Sequence, residues 1–147
     1  MSQKGDIFLT RNTDEFNQTK KSYWQHAAMS NGWAIIEGQA EPQQVIMVME
    51  ASFLKRNPER VLLRPKDPEI GRLASLAMEK YIGSKYNVLL RNCVTYVKWA
   101  YMEALGYNPY WFTPDDIYKS KLFAEVEYFK NYENWVKPID WYEGRIV

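Results

Sequence analysis

The chain reads as an α+β protein, with an antiparallel sheet built from its first part and packed against helices from its second. Three observations carry that reading. Up to about residue 65 the apolar residues come in short, β-rich runs separated by turn residues. Beyond that point they recur at helical spacing. The clear helix-start signals, a capping side chain with proline or an apolar repeat behind it, all fall in the second part.

Taken in order, "DIFLT" (6–10) is a short strand led by Gly5. The polar stretch "DEFNQTKKS" (14–22) is a short helix or a loop. "YWQHAAMS" (23–30) and "WAIIEGQ" (33–39) flank Asn31-Gly32, a strong signal for a two-residue hairpin turn. "QQVIMVME" (43–50) is a further strand, and "RVLLR" (60–64) follows a turn marked by Asn57-Pro58. A helix then starts with Asp67 as cap and Pro68 at its first position. It places Ile70, Leu73, Ala74, Ala77, Met78 and Tyr81 on one face and ends at Gly83. The next opens at Asn92, repeats Val94, Val97, Tyr101, Ala104 and Leu105 at helical spacing, and stops at Gly106. Thr113, Pro114, Asp115 and Asp116 mark a third start, the two carboxylates complementing the helix dipole. The tail, 123–147, carries an edge strand near "FAEVEYF" and is otherwise unassigned. With no repeat and no linker, residues 1–147 read as a single domain.

Composition narrows the function. Nineteen basic and 18 acidic side chains leave a net charge of +1, which is no electrostatic footprint for nucleic acid or an anionic membrane. The densest basic clusters, "TKKS" and "KRNPER", read as solvated surface. One cysteine rules out an internal disulfide and a cysteine-built metal site, and one histidine argues against zinc, so neither metal nor cofactor is expected. No apolar run is long enough for a signal peptide or a membrane span, and the chain as written reads as cytoplasmic.

The remaining signal is the lone thiol, Cys93, in "RNCVTYVKWAYMEALG". With Asn92 as cap, Cys93 occupies the first helical turn, where free N–H groups and the positive dipole end stabilise a thiolate and also suit an oxyanion. The lone histidine, His26, lies in the strand "YWQHAAMS". A two-residue turn at Asn31-Gly32 pairs residue 30 with 33, 28 with 35, and His26 with Glu37, on one face of the sheet. Glu37 would then fix the imidazole tautomer and stabilise its charged form. A one-residue slip would separate the two. Glu50 competes for the orienting role but has no register argument, and Asp115 and Asp116 are better explained as helix-start residues than as metal ligands.

"GDIFLTRN", "QHAAM", "WAIIEGQ", "VLLRPKD", "KYNVLLRNCVTYV" and "FTPDDIYKS", spanning roughly residues 4–122, resemble the permuted NlpC-type papain-like amidases, in particular their YiiX-like branch. In that family a strand histidine and a next-strand polar residue precede a helix-borne cysteine that follows an asparagine. The resemblance implies a circularly permuted papain-like fold, with Cys93 as nucleophile, His26 as base and Glu37 as orienting group. It also implies Tyr86, in "KYNVLL", as a tyrosine lining the site and donating to substrate or oxyanion. The chain has "QHAAM" where the family often has "SHVGI"-like residues, a change that removes none of these groups. The expected activity is hydrolysis of an amide in a small peptide, cell-wall peptide or isopeptide through a thioacyl-enzyme. A thiol acyltransferase acting on lipid or amine acceptors, and a non-catalytic binding module on the same fold, are the alternatives.

Overall fold

The computed structural model describes residues 1–11, 22–39, 43–86, 92–136 and 144–146. The stretch read as helix or loop, 14–22, lies outside them except for its last residue. Six strands form one antiparallel sheet: β1 (Ile7–Arg11), β2 (His26–Ser30), β3 (Ala34–Gln39), β4 (Gln44–Met49), β5 (Glu59–Pro65) and β6 (Phe123–Lys130). Their order is β4-β3-β2-β1-β5-β6. The helices among the described residues are α1 (Glu50–Arg56), α2 (Pro68–Glu79), α3 (Cys93–Leu105) and α4 (Pro114–Tyr118).

Alternation along the strands sorts the core into two layers. Leu9, Met29, Ile36, Met47 and Val61 face α2 and α3, meeting Ala74, Met78, Val97 and Tyr101. Phe8, Ala28, Ile35, Ile46 and Val48 point the other way, onto Phe53 of α1. Both faces of β1 to β4 are covered, so these strands bury successive positions rather than every second one. β6, at the sheet edge, is the exposed strand. It pairs with β5 from Glu59↔Lys130 to Pro65↔Phe123, with a bulge at Leu62/Leu63.

The three helix starts are where local chemistry puts them. Asp67 accepts the N–H of Glu69 at 3.0 Å, and Thr113 accepts that of Asp116 at 3.3 Å. α2 is shorter than its pattern: it closes at Glu79, and the chain turns on to Gly83, which takes φ +88°. Leu73, expected on the packed face, is 37% exposed; Gly71 and Ser75 are buried instead. Gly71 is buried because α2 comes down on the Gly5 backbone, where an added Cβ would lie 2.3 Å from its Cα.

Two further expectations fail. The stretch "KRNPER" is not solvated surface: Arg56 is 4% exposed and Glu59 1%. Arg56 ends α1, a helix that leaves β4 without a loop and whose N-cap, Met49, has no capping side chain. Its visible marks are only Glu50 in the first turn and Lys55 and Arg56 in the last.

The hairpin register also differs. Met29 pairs with Ile36 and Ser30 with Ile35, two residues on from the pairing that an Asn31-Gly32 turn would impose. Asn31 N–H donates to the Ala34 carbonyl at 3.1 Å, so the two turn residues are Gly32 and Trp33, with Gly32 at φ +98°. Asn31 is held out of the turn centre because Oδ1 accepts the N–H groups of Trp33 and Ala34 while Nδ2 reaches Met47 Sδ and Glu79. Moving the turn by one residue moves the register by two. An even shift preserves which side chains share a face.

Candidate functional site

The site forms at one end of the sheet, where β2 begins and β3 ends, against the N-terminus of α3. His26 is the first residue of β2, rather than mid-strand, and pairs with Thr10 of β1. Glu37 keeps the same face as His26 despite the changed register, and its Oε1 lies 2.8 Å from His26 Nε2. Its side chain is 1% exposed and that of His26 23%. The imidazole is hydrogen-bonded to the Cys93 side chain as well. With Nε2 engaged by Glu37, Nδ1 is the ring nitrogen left for the thiol. Three groups 11 and 67 residues apart along the chain therefore stand in one hydrogen-bonded row.

Cys93 is the first residue of α3 and is 7% exposed. Asn92 Oδ1 accepts the N–H groups of Val94 at 3.0 Å and Thr95 at 3.2 Å, and its own N–H donates to Thr95 Oγ1. Capping thus consumes two free donors at the helix start and leaves the N–H of Cys93, which donates to the Tyr86 phenol oxygen. Tyr86 reaches that point from the segment after α2, which adds to the β4 edge through Tyr86 N–H to Gln43 O at 2.9 Å and a bridge between Gln44 and Lys85. Its ring lies close against the backbone of Gly38, beside Glu37: a Cβ on Gly38 would fall 2.1 Å from Tyr86 Cδ2.

The electrostatics follow from this packing. Burial alone would push the His26 pKa down, yet the hydrogen bonds to Cys93 and Glu37 and their charges raise it to about 9. Burial would raise Glu37; the imidazole and the Arg56 guanidinium outweigh it and hold the carboxyl below the usual carboxylate range. Tyr86 is pushed well above an ordinary phenol by burial and by the negative charges of Cys93 and Glu37. It is therefore a neutral hydroxyl, able to donate as well as accept.

Two contributors escape a reading of the sequence. Arg56 places Nη2 2.5 Å from Glu37 Oε2, so both carboxylate oxygens of Glu37 are engaged. Asp115 accepts the N–H groups of Tyr23 at 2.8 Å and Trp24 at 2.9 Å, tying the start of α4 to the segment that leads into His26. Only the positions of these residues at helix ends hinted at a task. Asp116 does what its place predicts, accepting from Phe112 and Thr113 at the α4 cap. Glu50 stands apart from the imidazole and accepts from Ser2 Oγ.

The same end of the sheet carries a second cluster. The Glu59 carboxylate accepts from the phenols of Tyr23, Tyr128 and Tyr132. Beside it, Tyr23, Trp24, Asp115, Tyr118, Lys119 and Tyr128 line an open cleft of about 390 Å³, which the Cys93–His26 pair does not border. No helix among the described residues is long and apolar enough to cross a membrane.

No family model matches the chain, and no curated protein matches it in sequence. A solved structure matches it in fold: that of the metalloprotein YiiX from Escherichia coli O157:H7, DUF1105, at a TM-score of 0.72 and 13% identity, covering 88% of this chain and 98% of that one. The fold is YiiX-like. The neighbour's name raises the question of a metal. Among the described residues no three His, Cys, Asp or Glu side chains converge to hold an ion. His26 is already engaged by Glu37 and Cys93.

Proposed function

We propose that the protein is a cysteine hydrolase that cleaves an amide bond, with Cys93, His26 and Glu37 as its triad and a circularly permuted NlpC-type papain-like arrangement of the YiiX-like fold. One observation carries the reading: the thiol at the first turn of α3 is hydrogen-bonded to an imidazole whose other nitrogen is held by a buried carboxylate. The Cys93 thiol gives its proton to His26 and the thiolate sulfur attacks the carbonyl carbon, and the charge that develops on oxygen is received by the Cys93 N–H, with the neutral Tyr86 hydroxyl turning to donate. Collapse breaks the C–N bond as the imidazolium of His26 gives its proton to the leaving amine. His26 then takes a proton from water, the hydroxide attacks the thioacyl carbon, and the C–S bond breaks to release the acid as His26 returns its proton to the sulfur. Amides of small peptides, cell-wall peptides or isopeptide links are the substrate class that the family resemblance supports.

Alkylation of Cys93 by iodoacetamide as a function of pH tests this. Rapid labelling well below pH 8 that disappears in His26→Ala is expected. A profile centred near an ordinary thiol pKa of about 8.5, indifferent to His26, would remove the nucleophile from the proposal.

A further inference from the structure

Arg56 is an unusual group to find in the core. Its guanidinium is buried with the site, at 4% exposure, and its Nε has no hydrogen-bond partner among the described residues. An arginine kept there for stability alone would be a poor investment, since a buried ion pair commonly gains no more than apolar packing of the same volume. The surroundings nevertheless hold it firmly. The guanidinium carbon lies 5.8 Å from the Phe53 ring centroid, and Phe53 packs on Phe8. The end of α1 is fixed by Asn57 Nδ2 donating to the Phe53 carbonyl at 2.7 Å and by Arg60 Nη1 donating to the carbonyls of Leu54 and Asn57. A rigid helix end therefore aims one cation at one oxygen of Glu37.

We propose that Arg56 is the positioning residue of this site, binding Glu37 Oε2 so that Oε1 stays ionised and directed at His26 Nε2. The inference rests on the triad reading and extends it to a row of four groups: Arg56, Glu37, His26 and Cys93. The charges alternate along that row. Glu37 is faced by Arg56 from α1, His26 from β2 and Tyr86; His26 is faced by Glu37 from β3 and Cys93 from α3. With Arg56 in place, Glu37 has an anchor independent of the imidazole and keeps its position when His26 gives up its proton. Without it, the carboxylate would be held by the single Nε2–H to Oε1 bond, with no opposite charge beside it once His26 is neutral, and would be freer to turn at the step where the neutral base must be oriented toward water.

A double-mutant cycle separates this role from simple packing. The variants are Arg56→Met, Arg56→Lys, Glu37→Gln and Glu37→Gln/Arg56→Met, each read by the iodoacetamide rate of Cys93 across pH and by the His26 ring titration in NMR. Arg56→Met is expected to slow labelling below pH 8 by about tenfold or more, the equivalent of a displacement of one pH unit in the thiolate–imidazolium pair. Arg56→Lys, which keeps the charge, recovers most of the rate. In the Glu37→Gln background, Arg56→Met produces no further loss and no further movement of the His26 titration. Equal losses in both backgrounds, or an Arg56→Met protein that labels like wild type, would overturn the proposal while leaving the triad intact. If Arg56→Met does not fold, Arg56→Lys carries the same comparison: a smaller loss confined to the Glu37 background supports positioning, and one independent of residue 37 overturns it. A wild-type protein with an ordinary thiol profile instead defeats the triad reading itself.

Discussion

If Tyr86 and Cys93 act as proposed, adding a single methyl group at Gly38 should disable oxyanion binding while sparing the nucleophile. The Cβ of Gly38→Ala would stand 2.1 Å from Tyr86 Cδ2, 2.3 Å from Cε2 and 3.0 Å from Cγ, where ordinary contact begins at 3.4 Å. The ring must therefore retreat by about 1 Å or more. Its backbone is tied to β4 through Gln43 O, and the carbonyl of its neighbour Lys85 accepts from Tyr96 Oη, so the displacement falls on the ring. Gly38 is not among the glycines with positive φ, and alanine itself is unstrained there. Overpacking costs about 1–3 kcal/mol and the stiffer unfolded chain returns about 0.4–1 kcal/mol, a net loss of about 1 kcal/mol. The chemistry suffers more, because a misplacement of about 1 Å in a reacting site costs on the order of 100-fold. The assay is stopped-flow acylation of Cys93 by 4-nitrophenyl acetate alongside alkylation by iodoacetamide, which forms no oxyanion. Acylation should fall by about 100-fold while alkylation stays within about twofold. Unchanged acylation with the ring displaced would show that the Tyr86 hydroxyl contributes nothing to oxyanion binding, and a parallel loss of both would place Gly38 in the fold rather than in the chemistry.

Three further outcomes follow from the same contacts. His26 has its folded pKa raised from 6.5 to about 9, so its contribution is complete below pH 6.5 and is lost as pH climbs through about 9. Urea unfolding should show up to about 3 kcal/mol of that loss in wild type and a flatter profile in His26→Gln; identical slopes would refute it. Glu59 behaves oppositely: burial works against its charge, three phenols outweigh it, and its pKa is lowered, so its stabilisation holds above about pH 4.5 and fades on acidification through the folded value. Glu59→Gln should cost about 2 kcal/mol at neutral pH and less in acid, measured by thermal unfolding at several pH values. Asn92→Ala removes the acceptor for two N–H groups at the α3 start and should cost about 1 kcal/mol, with slower alkylation of Cys93 as the helix end loosens; an unaffected rate would detach the cap from the site.

The sequence by itself determined what depends on neighbours along the chain. Asp67, Asn92 and Thr113 each satisfy backbone N–H groups within three residues, so their helices start where the sequence says they do. Covered on both faces, β1 and β4 carry unbroken apolar runs, 7–9 and 45–49. That Cys93 stands at a helix start was legible for the same reason. Tertiary structure decided everything that depends on competition between distant partners. Asn31 sits outside the turn because Met47 and Glu79 offer its side chain better contacts than the turn centre does, and the register that follows is two residues from the local expectation. Glu37 still meets His26 because sheet faces repeat every second residue and the shift was even. Arg56 reads as a surface charge until α1 is packed on the sheet, since a charge is buried only when an opposite charge elsewhere in the chain is brought to meet it.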